Sequence, residues 1–414
     1  MAAPGRKRAP VERLVISRRS PLVGGASQIV YGLSNFMLMG AAAAVVSDET
    51  FGALSLVYLQ VLLWMSIGRG LTGEAFLIRP ELLTERSGRV ASGALRLTVL
   101  FGTVCAGLIA SLHLVPALRA GAPMAFAVAL PFAMLHDFGR AVHLAMRAPL
   151  VALLGDAIWL VTELVLLVVL WSRGDLSMAG IVLAWGAGAL AGAAFNLVQA
   201  RVAPRHGTIS SFVDRVGEIV RGLVAAAAVT FTSRNLTYYL IGFVGGLAVL
   251  GDLRKALIAY APLTAIFLGV SASVVPSLAR HRQEVGHRIT RLAVFSATLA
   301  VLWTCMVLVA SALGIEIVTR IIGDDEVVLV MLGAALVAQG VATAGVAGLR
   351  ALARPRQHAV AVAVSLVVMA CAGVVLTYAL GAAGAAGALL IGNLLEAILL
   401  CAMLAQVIRG GGQP

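Results

Sequence analysis

Apolar runs of 20 residues or more, separated by short polar or basic stretches, recur along the chain from residue 22 to residue 408. A helix needs about 20 apolar residues to cross the hydrocarbon of a bilayer. By that rule the pattern predicts about twelve spans, near 22–46, 51–78, 91–112, 120–146, 149–171, 177–199, 219–245, 251–278, 291–313, 327–349, 358–380 and 384–408. The first run follows a basic start but is too long for the apolar region of a signal peptide, and Gln28, Ser34 and Asn35 interrupt it. It reads as an uncleaved first span. The longest gap, near 200–218, is too short for a nucleotide-binding domain, and no GxxxxGK[ST] loop occurs.

Composition agrees: 60% of residues are apolar and 12% charged, against about 45–50% and 25% in soluble domains. The net charge of +12 would suit nucleic acid if it were clustered. Instead the basic residues alternate from gap to gap. Arg6 to Arg19, Arg79 to Arg96, Arg140 and Arg147, Arg201 to Arg221, Arg280 to Arg291 and Arg350 to Arg356 fall on one side, while Ser47-Asp48-Glu49 and Asp324-Asp325-Glu326 fall on the other. This positive-inside pattern puts both termini in the cytoplasm and excludes a nucleic-acid partner. Arg254 and Lys255 read as part of an external loop. The preference for Arg over Lys and the wealth of Ala, Gly and Val fit a bacterial protein, hence the inner membrane. The four cysteines fall within spans, so neither a disulfide framework nor a metal site is expected.

The chain repeats itself with an offset of about 200. Tyr31 to Asn35 falls opposite Phe231 to Asn235, Phe51-Gly52 opposite Gly251-Asp252, and Arg79 opposite Arg280. Six spans per half give two halves of the same orientation, as in parallel-repeat secondary transporters. The predicted organisation is a cytoplasmic basic N-terminus (1–20), an N-lobe of spans one to six (21–200), a cytoplasmic linker with Pro204, Gly207 and Ser210-Ser211 (201–218), a C-lobe of spans seven to twelve (219–409), and a cytoplasmic tail (410–414).

GlyGly-Ala-Ser-Gln-(x)2-Tyr-Gly at 24–32, Phe51-Gly52-Ala53 and Arg69-Gly-Leu-Thr-Gly-Glu at 69–74 resemble the polysaccharide exporters of the multidrug/oligosaccharidyl-lipid/polysaccharide (MOP) flippase superfamily. The resemblance implies an all-α membrane protein of twelve helices in two six-helix lobes. It also implies a prenyl-diphosphate-linked sugar as cargo, no covalent chemistry, and as partners membrane lipids and the glycosyltransferases or polymerase of a polysaccharide pathway.

Polar residues inside the spans are the candidate chemistry, because charge in a membrane marks function or pairs with charge. Arg234 falls about 22 Å into span seven at 1.5 Å per residue, with Thr230, Thr237 and Tyr238 on its face and Asn235 beside it. Gln28, Tyr31 and Asn35 form the matching face of span one, so the two spans are expected to face each other across a substrate cavity. Arg69 in span two either joins that cavity or snorkels to headgroups. Glu74 lies about 140° round the helix from it and is not its local partner. His136, Arg140, His143 and Arg147 share a stripe of span four, which either steers an anionic headgroup or only contributes to topology. With Trp159 between them, Asp156 and Glu163 share a face of span five. They, with Glu74, Asp137 and Glu396, either bind a coupling proton or sodium ion or balance the arginines. No other cofactor is expected. The rivals are a cation-coupled multidrug exporter of the same fold and a non-transporting scaffold for glycan synthesis.

Overall fold

The computed structural model describes residues 21–83, 88–202, 207–280, 284–314, 316–323, 325–352 and 354–409. The basic start (1–20), Pro204 and the tail (410–414) lie outside the described residues. For some helical residues, Thr230 and Arg234 among them, the side chain lies outside them too.

Among the described residues ten helical runs are long and apolar enough to span a membrane, and two of them break at a glycine, which gives twelve helices in chain order. The N-lobe holds α1 (Pro21–Val45), α2 (Asp48–Ile78), α3 (Arg89–Ser111), α4 (Pro123–Ala145), α5 (Pro149–Ser172) and α6 (Met178–Ala200). A helical run Ile209–Arg280 breaks at Gly246 into α7 (209–245) and α8 (247–280). Next come α9 (Val285–Ala312) and α10 (Glu326–Ala351), then a run Pro355–Arg409 that breaks at Gly381 into α11 (355–380) and α12 (382–409). Gly246 has φ 83° and ψ 173°, a conformation closed to residues with a Cβ. It reverses the chain without a polar loop. Three other starts are set by caps: Ser47 Oγ accepts from Thr50 N, Ser177 Oγ from Gly180 N, and Asp325 Oδ1 from Val327 N and Val328 N.

Two expectations need correction. The predicted linker 201–218 is helical from Ile209, because Phe212, Val216 and Val220 lie four residues apart and bury against Phe76, Val90 and Phe138 of the N-lobe. Arg254 and Lys255 are not in a loop. With the reversal at Gly246, they lie about 10 Å along α8 at 1.5 Å per residue.

Each lobe has two packed cores, one near each membrane face. Trp159, Trp185, Phe126 and Phe51 are fully buried in the N-lobe, and Tyr260 and Leu263 in the C-lobe. In hydrocarbon such cores are held by close packing rather than by escape from water. Val99, Val104, Val165, Val168, Val301 and Val367 point outward as the lipid-facing surface. At the end where α1 meets α2, the lobes interlock: Ile258 of α8 packs into the N-lobe core and Leu56 of α2 against the C-lobe core. At the other end the C-lobe core around Leu278, Ile289 and Leu404 takes no N-lobe side chain among the described residues. Among the described residues the foot of α7 bridges the lobes there.

Candidate functional site

Four charged residues of the N-lobe, Arg69, Asp137, Arg140 and Asp156, form one cluster inside the lobe. α2 carries a π-turn over Arg69–Gly73, an extra backbone residue of the kind found at functional positions. From that turn Arg69 Nη1 reaches Asp137 Oδ2 of α4 at 3.3 Å; the Arg69 side chain stays 40% exposed and Asp137 only 4%. One turn further along α4, Arg140 Nε meets Asp156 Oδ2 of α5 at 3.2 Å. Its Nη2 donates to Gln28 Oε1 at 2.9 Å, and its guanidinium lies 5.0 Å from the centroid of the Tyr31 ring. Ser27 Oγ also donates to Asp156, and His136 Nε2 lies 3.4 Å from the other oxygen of that carboxylate. Tyr31 stacks on His136 and meets Trp159 edge-on. The arrangement sets two buried carboxylates against Arg140, which is largely buried, and Arg69, which is partly exposed; breaking the more buried pair leaves an uncompensated charge.

The structure therefore turns the polar face of α1 inward. Gln28 and Tyr31 belong to the cluster. Asn35 Oδ1 accepts from Tyr58 Oη of α2 at 2.8 Å. Among the described residues none of the three reaches across to α7; α2, α4 and α5 supply their partners. The α4 stripe is likewise no exposed track. His136 and His143 are buried, the latter 2.9 Å from the Asn196 carbonyl, and Arg147 lies beyond the helix end at φ 56°. Glu163 is fully buried, with the Ser34 hydroxyl as a polar neighbour and no charged partner among the described residues. Glu74 is half-buried on α2.

Across the lobe seam lies a second set that sequence reasoning missed. Lys255 Nζ meets Asp48 Oδ1 at 2.7 Å and the Val46 carbonyl at 3.2 Å. Gln60 Nε2 of α2 donates to Tyr239 Oη of α7 at 3.0 Å. Arg254 stacks over the Tyr238 ring, 5.1 Å from its centroid, within electrostatic reach of Tyr58 and Tyr239. Its Nε is buried and donates to nothing among the described residues. Glycines 245 and 246 were the one signal that could have moved Arg254 from loop to helix.

Tyr238 also walls a chamber of about 380 Å³ inside the C-lobe, between α7, α8, α10, α11 and α12. Asn235, Tyr260, Gln339, Asn393 and Glu396 line it, with Arg350 exposed at its rim. Of the predicted α7 residues, Asn235 and Tyr238 reach the chamber. Thr237 is buried against Gly373 of α11 instead, and the side chains of Thr230 and Arg234 lie outside the described residues.

No protein-family profile matches the chain, and no curated protein matches its sequence. Its fold is that of the MATE transporters of the MOP superfamily. An inward-facing multidrug resistance MATE transporter superposes with TM-score 0.72 at 14% identity, over 92% of this chain and 95% of that one. An outward-facing one gives 0.68 at 14% identity, over 97% of each. A MOP transporter from Pyrococcus furiosus, described as having a binding pocket of reversed polarity that suggests a different function, gives 0.61 at 15% identity over 98% of each. The structural neighbours are transporters, and the chain is a multi-pass membrane protein of their fold.

Proposed function

We propose that the chain is a secondary transporter that carries an anionic lipid-linked oligosaccharide, a prenyl-diphosphate sugar, across the bacterial inner membrane by alternating access. The observation that carries this reading is Arg254. Arg69 and Arg140 each face a carboxylate, whereas Arg254 has an aromatic ring for company and an idle buried donor. A guanidinium cannot shed its proton, so a site built on it favours an anion. The diphosphate would dock on Arg254 while the prenyl tail stays in lipid. The basic ends of α2 and α8 argue for a cytoplasmic opening, with both termini on that side. Glu163, buried without a counter-charge, is the residue best placed to bind a coupling proton or sodium ion; Asp156 already serves Arg140. The pathway's glycosyltransferases or polymerase are the proposed protein partners.

A cation-coupled multidrug exporter is the second reading, favoured by what the neighbouring structures are described as transporting. Flipping of a fluorescent prenyl-diphosphate sugar in proteoliposomes separates the two. Arg254→Ala is expected to cut transport at least tenfold with folding intact. Full transport by that variant, or transport of cationic dyes in place of the lipid, overturns the proposal.

A further inference from the structure

The polar groups of the C-lobe chamber have a shared bias. Six of its side chains have a donor already engaged within the protein, while Gln339 and Arg350 bring N–H donors of their own. Thr343 Oγ1 donates to the Gln339 carbonyl at 2.8 Å, Thr264 Oγ1 to the Tyr260 carbonyl at 3.2 Å, and Ser365 Oγ to the Val362 carbonyl at 3.0 Å. Tyr260 Oη donates to the Leu329 carbonyl at 2.7 Å, Asn393 Nδ2 to the Ala335 carbonyl at 3.2 Å, and Asn235 Nδ2 to the Phe231 carbonyl at 2.8 Å. What the hydroxyls present to the chamber is therefore lone pairs, and each asparagine presents an amide oxygen and its second N–H. A wall dominated by acceptors, with donors on Gln339 and Arg350, calls for a ligand rich in donors that can also accept.

Two classes of ligand satisfy acceptors, cations and polyols. Arg350 stands in the same wall and opposes a cation, and Glu396, the one carboxylate of the lining, already interacts within the protein. The volume, about 380 Å³, is that of a small-molecule site of roughly 300–1,000 Å³ rather than of a bare ion. We infer that the chamber is a sugar subsite, which takes the uncharged, hydroxyl-rich portion of the cargo. This rests on the proposed function for the nature of the cargo, but not for the chemistry of the wall. Tyr238 joins the two sites. One face of its ring carries Arg254 and its edge lines the chamber, so a diphosphate on Arg254 would hand its first sugar directly to the acceptors. Aromatic rings and amide oxygens are a familiar pairing for pyranose rings, whose C–H faces are apolar and whose rims donate and accept.

The test uses the full chain in detergent with decyl glycosides of neutral sugars that carry a diazirine on the sugar. Saturable labelling of α10, α11 or α12, competed by free neutral disaccharides, is expected. Gln339→Leu combined with Thr343→Val keeps side-chain volume and removes acceptors; it should lower that labelling at least tenfold with Tm unchanged. No competable label in the wild type, equal label in the double variant, or competition by a cationic dye in place of sugars each overturns the subsite. The lipid-flipping assay fails independently. Absent flipping with labelling retained removes the lipid cargo and leaves the sugar chamber standing.

Discussion

Gly52 of α2 and Gly251 of α8 meet the opposite lobe in reciprocal fashion. A Cβ on Gly52 would overlap the Leu247 carbonyl, and a Cβ on Gly251 would overlap the Asp48 carbonyl. Each glycine thus receives the backbone one helical turn before the other glycine. The contact has a local two-fold axis, which places the repeat offset of about 200 in the seam itself.

Gly52→Ala or Gly251→Ala is therefore expected to wedge this end apart. Overpacking of this kind costs about 1–3 kcal/mol, here charged only to the closed conformation. Spin labels at Trp171 and Tyr378, which are exposed on opposite lobes at that end, should report longer distances in either variant. The background must lack the exposed Cys305, Cys371 and Cys401. Unchanged distances would show that the seam tolerates a methyl group and that the reciprocal contact does not control closure.

The Lys255–Asp48 ion pair closes the same seam, but Asp48 keeps 52% of its side-chain exposure. A pair so open to solvent contributes on the order of 1 kcal/mol or less. Lys255→Met should shift the label distances by less than the glycine variants do, and high salt should mimic it in the wild type. A shift larger than that of Gly52→Ala would make the ion pair the principal latch.

Asp156→Ala should behave quite differently, since it strands Arg140 inside the N-lobe. Breaking a buried pair costs roughly 3–5 kcal/mol, whereas replacing both partners by apolar residues is often neutral. Thermal unfolding in detergent should show a large loss for Asp156→Ala and recovery in Arg140→Met combined with Asp156→Leu. If the double variant recovers stability yet loses transport, the cluster also serves the cargo.

Glu163→Gln keeps shape and removes the titratable group. If Glu163 binds the coupling ion, the variant should fold normally and lose the dependence of transport on a proton or sodium gradient. Gradient-driven transport at the wild-type rate would move the search to other carboxylates, beginning with Glu396.

The span count was legible because apolar length is a one-dimensional property, and the α5 face of Asp156, Trp159 and Glu163 because helical spacing is local. All three of those side chains are fully buried. Partners were not legible. That Arg69 would find Asp137, or Asn35 find Tyr58, depends on how helices are rotated against one another, which hydropathy does not encode. Arg254 was misplaced for a different reason: Gly246 reverses the chain inside an apolar run, so no polar gap marks the end of α7. The chamber escaped notice because its hydroxyls satisfy their own helices and look, in sequence, like ordinary membrane Ser and Thr.

The foot of α7 has a mechanical consequence. Its first turns are gripped by Phe76, Val90 and Phe138 of the N-lobe, yet its far half forms the wall of the C-lobe. From Ile209 to the break at Gly246, α7 is a rod roughly 55 Å long at 1.5 Å per residue. A tilt of about ten degrees at the gripped end would sweep the tip through about 10 Å, by the same helix rise. α7 is a lever whose fulcrum is fixed in one lobe and whose load is the other.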